Sequence, residues 1–267
     1  MPGFDKYIHS DQDTHDSEVP FVHLEGVSKY FNTIEAVRDV SLTIQKGGIF
    51  GLVGSDGAGK STLLRMIATM IRPSSGRIFI QNMDVVKQRS RIKQIIGYMP
   101  QRFGLYQDLT VQENLDFFMD IFGISGPERK HRRDRYLGFS NLLPFVDRTA
   151  GALSGGMKQK LGLACVLAHQ PKLLILDEPT NGVDPVSRKE FWDILFEMKK
   201  QGMTILISTA YLDEGENCDF LALMHKARII EATTPKAIQS HFADLEEAMI
   251  QRIQEVDKEL MNDQFRI

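Results

Sequence analysis

The stretch GSDGAGKST at residues 54–62 constrains the fold more than any other part of the chain. It matches the phosphate-loop pattern G-x-x-x-x-G-K-[ST], in which backbone N–H groups surround a phosphate. The apolar run at residues 49–53 before it is typical of a buried strand, and residues 63–68 after it are typical of a helix. A strand, this loop and a helix in that order predict a phosphate-binding α/β core.

The residue types in this loop suit the binding of a nucleotide. Three glycines let the backbone turn inward without a side chain in the way, and the start of the helix adds N–H donors and a positive dipole end. The Lys60 ammonium would reach the outer phosphates, and the Ser61 hydroxyl would bind Mg²⁺. The predicted nucleotide-binding residues are therefore Gly54, Ser55, Asp56, Gly57, Ala58, Gly59, Lys60, Ser61 and Thr62.

Composition excludes some classes of protein. Apolar residues make up 42% of the 267 residues and charged residues 25%, which is typical of a globular protein with a large core. The 32 basic and 35 acidic residues leave a net charge of −3, so bulk charge does not predict a nucleic-acid partner. No apolar run reaches the roughly 18 residues of a membrane-spanning helix. Cys165 and Cys218 lack metal or redox spacing, and we expect buried, reduced thiols.

Local patterns divide the chain into regions. Residues 1–20 are polar and acidic and predict a disordered tail. Residues 21–44 alternate and are rich in Val, Ile and Thr, which predicts antiparallel strands. Residues 109–170 are mainly helical, beginning with a capping box of Thr110 and Glu113.

The C-terminal residues 235–267 form a helical and charged extension in this interpretation. Apolar residues recur there at helical spacing and mark one face. We expect that face to be a docking surface or an extra subdomain, and its residues are Leu245, Met249, Ile253 and Val256.

Two further motifs carry groups suited to phosphate chemistry. LSGGM at residues 153–157 places Ser154 where a helix begins, which taken alone indicates a simple cap and also offers an anion-binding helix end. LLILDEP at residues 173–179 predicts a strand buried on both faces, with Asp177 and Glu178 at its carboxyl end. Ligands gather at that end of α/β sheets, so Asp177 would hold Mg²⁺ and Glu178 would polarise an attacking water.

Some residues have two interpretations from the sequence alone. Tyr30 or Phe31 would either stack on a base or fill the core, and spacing favours neither. The basic stretch at residues 128–135 indicates a solvated helix face, with contact to an anionic headgroup as the lesser alternative.

Together these motifs resemble the nucleotide-binding subunit of an ABC transporter, over about residues 22–234. The motifs stand in the family's order, which is the phosphate loop, YMPQ at 98–101, LSGGM at 153–157, LILDEP at 174–179 and NGVD at 181–184. The resemblance implies a P-loop NTPase parallel-sheet core, with an antiparallel β subdomain and an inserted helical subdomain at about 102–170. It places the ATP-binding domain at residues 21–234.

The resemblance also implies roles for residues within one subunit. ATP and Mg²⁺ are the implied ligands, with Phe31 as the aromatic that stacks on adenine. Glu178 is the implied general base and Asp177 the magnesium carboxylate. Gln101 is implied to link the Mg²⁺ and the attacking water to the membrane partner, so the implied metal-site residues are Ser61, Gln101 and Asp177.

Other implied roles concern partner subunits. The signature residues Ser154, Gly155 and Gly156 would bind the γ-phosphate held by a second ATP-binding subunit, identical or different, and Asp184 would touch that subunit. Transmembrane permease subunits are the other implied partners, which would place this chain in the cytoplasm, peripheral on the cytoplasmic face of the cell membrane. Phe103, Tyr106 and Leu109 follow Gln101 and would either contact the permease or fill the core.

Details of the sequence narrow the resemblance to bacterial exporters of the drug-efflux type. The strings GGMKQKL at 155–161 and GVDP at 182–185 are similar to theirs. One departure from the family is serious, because Ala210 stands where a switch histidine is usual and Tyr211 is its neighbour. We expect an export motor with slow hydrolysis. The alternatives are an ABC-type ATPase not engaged in transport and a regulatory subunit that hydrolyses ATP poorly.

Overall fold

The computed structural model describes residues 20–239, 242 and 244–264, with side chains in the last helix described through residue 258. The predicted tail at residues 1–20 lies, up to position 19, outside the described residues. Within these ranges the strands are β1 (Val22–Phe31), β2 (Ile34–Ile44), β3 (Ile49–Val53), β4 (Ser75–Ile80), β5 (Met83–Asp84), β6 (Ile96–Met99), β7 (Leu173–Asp177), β8 (Thr204–Thr209), β9 (Phe220–His225) and β10 (Arg228–Thr233). The α-helices there are α1 (Lys60–Ile67), α2 (Arg89–Lys93), α3 (Val111–Ile121), α4 (Gly126–Phe139), α5 (Gly155–Leu167), α6 (Pro185–Lys200), α7 (Pro235–Gln239) and α8 (Leu245–Gln264).

The larger sheet carries the motifs. In the described part of the chain its strand order is β10-β9-β3-β8-β7-β6, and every pairing is parallel except the β9–β10 hairpin. Strands β3, β7 and β8 are buried along their whole length, as expected of strands covered on both faces. Alternate residues of β7 face different cores. Leu173 and Ile175 belong to the core that contains α1, and Leu174 and Leu176 to the core that contains α5 and α6.

The smaller sheet confirms the predicted antiparallel β subdomain. Its strands lie in the order β2-β1-β4-β5 in the described residues, and each pairing is antiparallel. Buried residues of this sheet share one core with α1, among them Val22, Leu24, Ile78 and Ile80. Because of this shared core, β2 lies beside α1. The start of α1 is also where the phosphate loop leaves the large sheet.

Helices α3, α4 and α5 enclose a core of their own, whose buried members all lie between residues 105 and 168. The predicted capping box is present, since Thr110 Oγ1 accepts from the Glu113 N–H at 3.1 Å. Both cysteines are buried free thiols, and burial raises the pKa of each. The limits of the helical subdomain, about 102–170, stay a prediction.

The basic stretch in α4 is an ion-paired helix face. Arg129 and Arg133 both contact the Asp116 carboxylate, at 3.2 and 2.7 Å, and Arg132 contacts Glu128 at 2.6 Å. These pairs favour the interpretation as a helix face over contact with an anionic headgroup, because several of the cations already have carboxylate partners.

The apolar face of α8 packs on the chain's own core. Leu245 and Met249 are fully buried, and they form one cluster with Val53, Leu221 and Leu223 at the edge of the large sheet. Ile253 packs against the same cluster, so the docking-surface interpretation of these residues is wrong. Among the helices of the described ranges, none combines the length and apolar character that crossing a membrane requires.

Candidate active site

The phosphate loop lies where β3 ends and α1 begins, at the carboxyl edge of the large sheet. Two glycines allow the neighbouring backbone to come close. A Cβ at Gly54 would lie 2.1 Å from the Met224 carbonyl oxygen, and one at Gly59 would lie 2.3 Å from the Ala36 carbonyl oxygen. A Cβ at Gly57 would meet nothing within 4 Å. The loop is therefore packed closely against neighbouring backbone at Gly54 and Gly59. Around Gly57 it is open, which leaves room for a phosphate.

Lys60 is bound inside the loop. Its side chain is 3% exposed, and its Nζ donates to the carbonyl oxygens of Gly54 and Ser55 at 2.7 and 3.0 Å. The same ammonium lies 3.1 Å from the Glu178 carboxylate. A buried ammonium needs such oxygen acceptors, and phosphate oxygens would satisfy it in the same way.

Asp177 is the centre of a hydrogen-bond network at the end of β7. It is fully buried, and its Oδ1 accepts from Ser61 Oγ at 2.7 Å and from Ser208 Oγ at 3.0 Å. Its Oδ2 accepts from the Tyr98 hydroxyl at 3.2 Å. Burial, followed by the charge of Asp177, raises the pKa of Tyr98, which keeps that hydroxyl protonated as a donor. Sequence reasoning did not predict Tyr98 and Ser208 as members of the site.

The donor set around Asp177 fits Mg²⁺. The predicted ligands Ser61 and Asp177 are in direct contact, so one ion could reach both oxygens. Mg²⁺ prefers hard oxygen ligands and is usually bound by one or two protein groups together with substrate phosphates. Among the described residues no group of three or more His, Cys, Asp or Glu gathers as a cage for another metal.

Glu178 is held by contacts on both carboxylate oxygens. Its Oε1 faces Lys60, and its Oε2 accepts from Gln101 Nε2 at 3.0 Å, with Asn181 Nδ2 at 3.4 Å. Its N–H lies 3.1 Å from the Ser208 Oγ acceptor. The backbone φ of +49° is in the left-handed region, which a non-glycine residue adopts only where its surroundings enforce it. The structure thus brings together Glu178, Gln101 and Lys60, which lie far apart in sequence.

The signature residues lie at the start of α5. Ser154 is the N-cap and accepts from the Met157 N–H at 3.3 Å. A Cβ at Gly156 would lie 2.3 Å from the Ser187 side chain, whereas one at Gly155 would meet nothing within 4 Å. Asp184 caps α6 beside Gly156. Its carboxylate accepts a hydrogen bond from the Ser187 N–H, and this bond lowers the pKa of the carboxyl. Within the described residues no hydrogen bond or ion pair joins Ser154, Gly155 or Gly156 to the phosphate loop.

The family assignment follows from residues 37–181, which match the family model described as ABC transporter. The chain belongs to the ABC transporter family. It is 47% identical over 224 residues to a probable multidrug ABC transporter ATP-binding protein of Escherichia coli strain K12, which covers 83% of this chain. The chain spans only 39% of the length of that relative.

Two further similarities cover most of both chains. A Nod factor export ATP-binding protein of Rhizobium sp. strain N33 is 39% identical over 219 residues, which is 81% of this chain and 72% of that protein. The structure of CbiO1 from Clostridium perfringens, described as part of an ABC transporter complex, superposes with a TM-score of 0.76 at 29% identity. It covers 84% of this chain and 92% of that one. ABC ATP-binding domains bind ATP with Mg²⁺, hydrolyse it, form dimers and associate with membrane permease components.

The aromatic pair predicted for the adenine in this ABC domain is exposed. Tyr30 is 47% and Phe31 44% exposed, at the tip of the hairpin formed by β1 and β2. The Lys29 ammonium lies 5.0 Å from the centroid of the Phe31 ring. This exposure argues against core packing, and stacking of Phe31 on a base stays a prediction.

Ala210, which the family resemblance places at the switch-histidine position, lies directly after β8. Ala210 is exposed there, and its methyl side chain carries no hydrogen-bond donor. The Tyr211 hydroxyl lies 3.5 Å from Asn181 Oδ1, and the Arg188 guanidinium lies 5.0 Å from the centroid of the Tyr211 ring. Tyr211 is therefore oriented toward Asn181 and α6, and no direct contact links it to Glu178 in the described residues.

Proposed function

We propose that this chain is the ATP-hydrolysing motor of an exporter and works with transmembrane permease subunits. The observation that carries the hydrolytic part is the contact of Glu178 with both Lys60 and Gln101 beside the Ser61–Asp177 pair. The name of one relative, a Nod factor export ATP-binding protein, supports the direction of transport. A methionine import protein of Bacillus cereus is 35% identical, so direction needs its own experiment.

The proposed reaction is attack of a water molecule on the γ-phosphate of ATP. The phosphate-loop N–H groups and Lys60 bind the phosphates and stabilise the charge that develops on them. Glu178 accepts the proton of the attacking water, and Gln101 orients the carboxylate and the water. Asp177 and Ser61 would hold Mg²⁺, which would neutralise charge on the phosphate oxygens when bound. The products are ADP and phosphate.

A second ATP-binding subunit completes the site in this proposal. In the described part of the chain no hydrogen bond or ion pair joins the signature residues Ser154–Gly156 to their own phosphate loop, and a Cβ at Gly155 would meet nothing within 4 Å. The N–H groups at the start of α5 would bind the γ-phosphate held by the opposite subunit. Asp184, at the start of α6 beside Gly156, would lie at the same interface.

Hydrolysis by two copies of this chain is slow in this proposal, because Ala210 cannot donate to the γ-phosphate. The loss of one preorganised donor lowers kcat by about 10²–10³. This observation also favours a second candidate, in which the chain pairs with a different ATPase subunit and carries the weaker site. Glu178 keeps its contacts with Lys60 and Gln101, which argues for residual activity.

Tyr106 and Phe117 form the proposed surface for the permease. Their ring centroids are 4.7 Å apart in an edge-to-face pair, and the two side chains are 47% and 37% exposed. Phe103 is different, because its ring packs against Phe118 at 5.3 Å and lies against Gly162. The core-packing alternative therefore applies to Phe103, and the docking proposal rests on Tyr106 and Phe117.

The proposal is tested by purifying the tagged chain from membranes solubilised in detergent. A co-purifying membrane protein, lost in a Tyr106→Asp and Phe117→Asp double variant that still binds ATP, supports the permease partnership. Inside-out vesicles that hold the complex should then accumulate fluorescent hydrophobic drugs when ATP is added outside. A chain that never enters the detergent fraction supports the soluble ATPase, and ATP-driven depletion of the vesicles indicates import.

A further inference from the structure

The turn between β9 and β10 packs directly against the phosphate loop. The Ala227 N–H donates to the Ala58 carbonyl at 3.1 Å, and the Ala227 carbonyl accepts from the Arg38 N–H at 2.7 Å. The Met224 carbonyl, near the end of β9, is the group that a Cβ at Gly54 would strike. The phosphate loop therefore packs against a segment that lies more than 160 residues away in sequence.

This turn adopts a conformation that needs support. Lys226 and Ala227 have φ values of +45° and +66°, which place two successive non-glycine residues in the left-handed region. Each such residue has an energetic cost and persists only when surrounding contacts enforce it. The contacts with Ala58 and Arg38 support one side of the turn.

Asp257 of α8 supports the other side. Its Oδ1 lies 2.7 Å from Lys226 Nζ and 2.8 Å from His225 Nε2. Lys226, followed by His225, lowers the pKa of the Asp257 carboxyl, so the ionised form that pairs with both is favoured. One carboxylate thus holds two consecutive side chains of the turn.

Helix α8 is fixed well enough to present this carboxylate. Leu245 and Met249 are buried in the cluster that includes Val53, the residue directly before the phosphate loop. The helix also reaches β10, since Arg252 pairs with Glu231 at 2.9 Å. Asp257 lies outside the stretch that matches the family model, residues 37–181.

We propose that Asp257 is a positioning residue, which holds the β9–β10 turn against the phosphate loop and so sets the affinity of the site for ATP. The inference rests on ATP binding at residues 54–62. Without Asp257 the turn relaxes, and the Ala58 carbonyl and its neighbouring N–H groups lose their fixed orientation. The side chain acts through the turn and does not touch the nucleotide.

The experiment measures the dissociation constant of a fluorescent ATP analogue for the full chain, without turnover, in three variants. Asp257→Ala should weaken binding about two- to fivefold, the range for a partly exposed ion pair that acts indirectly. Asp257→Asn keeps a hydrogen-bond acceptor and should recover part of the loss. Glu255→Ala is the matched control, since the side-chain partners of Glu255 in the described residues, Arg252 and Gln251, both lie on α8. It should leave the dissociation constant unchanged.

A second measurement separates positioning from general destabilisation. The triple variant Asp257→Ala, His225→Ala and Lys226→Ala should weaken ATP binding no more than the most damaging of its three single substitutions. The reason is that the three side chains act as one unit. Equal dissociation constants for Asp257→Ala and Glu255→Ala, whatever their melting temperatures, would overturn the inference. Wild-type chain that fails to bind the analogue would instead contradict ATP binding itself.

Discussion

The phosphate-loop edge and the signature end of this ABC domain differ in how far they are complete. At the phosphate-loop edge, Asp177 and Glu178 are buried and each has at least three partners within the chain. At the signature end, Gly155 meets nothing within 4 Å of its Cβ position. In our proposal the first region binds phosphate and Mg²⁺, whereas the second receives a group that another subunit brings. We therefore propose that one chain holds two different halves of a site, the phosphate-loop edge and the signature end.

The largest expected effect concerns Glu178, at the phosphate-loop edge. Glu178→Gln removes the proton acceptor while keeping the size of the side chain, and kcat for ATP hydrolysis should fall about 10²–10⁴-fold. The binding of ATP should change little, because Lys60 and the loop remain. Phosphate release measures the effect. Glu190→Gln, which removes the carboxylate partner of another buried lysine, Lys160, is the control and should hydrolyse normally. Retained turnover in Glu178→Gln would remove this residue from the reaction.

The next effect concerns Ala210, which the family resemblance places at the position of a switch histidine. Ala210→His supplies the missing donor, and turnover should rise by up to about 10²–10³-fold. Ala210→Leu adds bulk without a donor and should leave the rate low. Steady-state phosphate release from both variants checks the prediction, with Glu178→Gln as the blank. A rapid wild type that Ala210→His does not change would show that the histidine is dispensable here.

A smaller effect is expected on binding. Lys60→Met removes the loop's ammonium and should weaken ATP about 10- to 100-fold, the range for a lost charge-assisted contact. Lys160→Met is the matched control, because Lys160 is also buried and pairs with one carboxylate, on α6. Titration with a fluorescent ATP analogue measures both variants. Equal affinity in the two would contradict the role of the phosphate loop.

The smallest effect concerns the network around Asp177. Tyr98→Phe removes one of its donors, and the Mg²⁺ concentration for half-maximal hydrolysis should rise about two- to tenfold. Tyr136→Phe changes another buried phenol, whose pKa is also raised by burial, and should have no such effect. If Tyr98→Phe lowers the melting temperature without altering the Mg²⁺ dependence, the hydroxyl is only structural.

Sequence reasoning predicted the groups whose chemistry depends on local motifs. The phosphate loop, the Asp177–Glu178 pair and the capping box are each encoded within a short stretch. Tyr98 and Ser208 were not predicted, because they contact Asp177 of β7 from the neighbouring strands β6 and β8. The register between two strands cannot be deduced from the sequence of either strand. The φ of Glu178 has the same origin, since surrounding contacts impose it.

The C-terminal helix α8 is a second example of a long-range contact that local sequence patterns do not predict. Periodicity correctly indicated an apolar face in α8, but a face pattern does not say what covers it. The structure pairs Leu245 and Met249 with Val53, and this long-range contact replaces the expected docking surface. Phe103 and Tyr106 differ for a similar reason, since only tertiary packing decides which of two aromatics near Gln101 packs against the core.

The most direct test of the two-halves account is the molar mass of the Glu178→Gln chain in solution with ATP and Mg²⁺, measured by light scattering. The account predicts that the mass doubles when ATP is added, and that Gly155→Glu in the same background abolishes the doubling. Gly104→Glu, at another glycine with open space around its Cβ position, should dimerise normally. A mass that stays that of one chain, or an ATP-dependent dimer that survives Gly155→Glu, would contradict the claim that the signature completes a second copy's site.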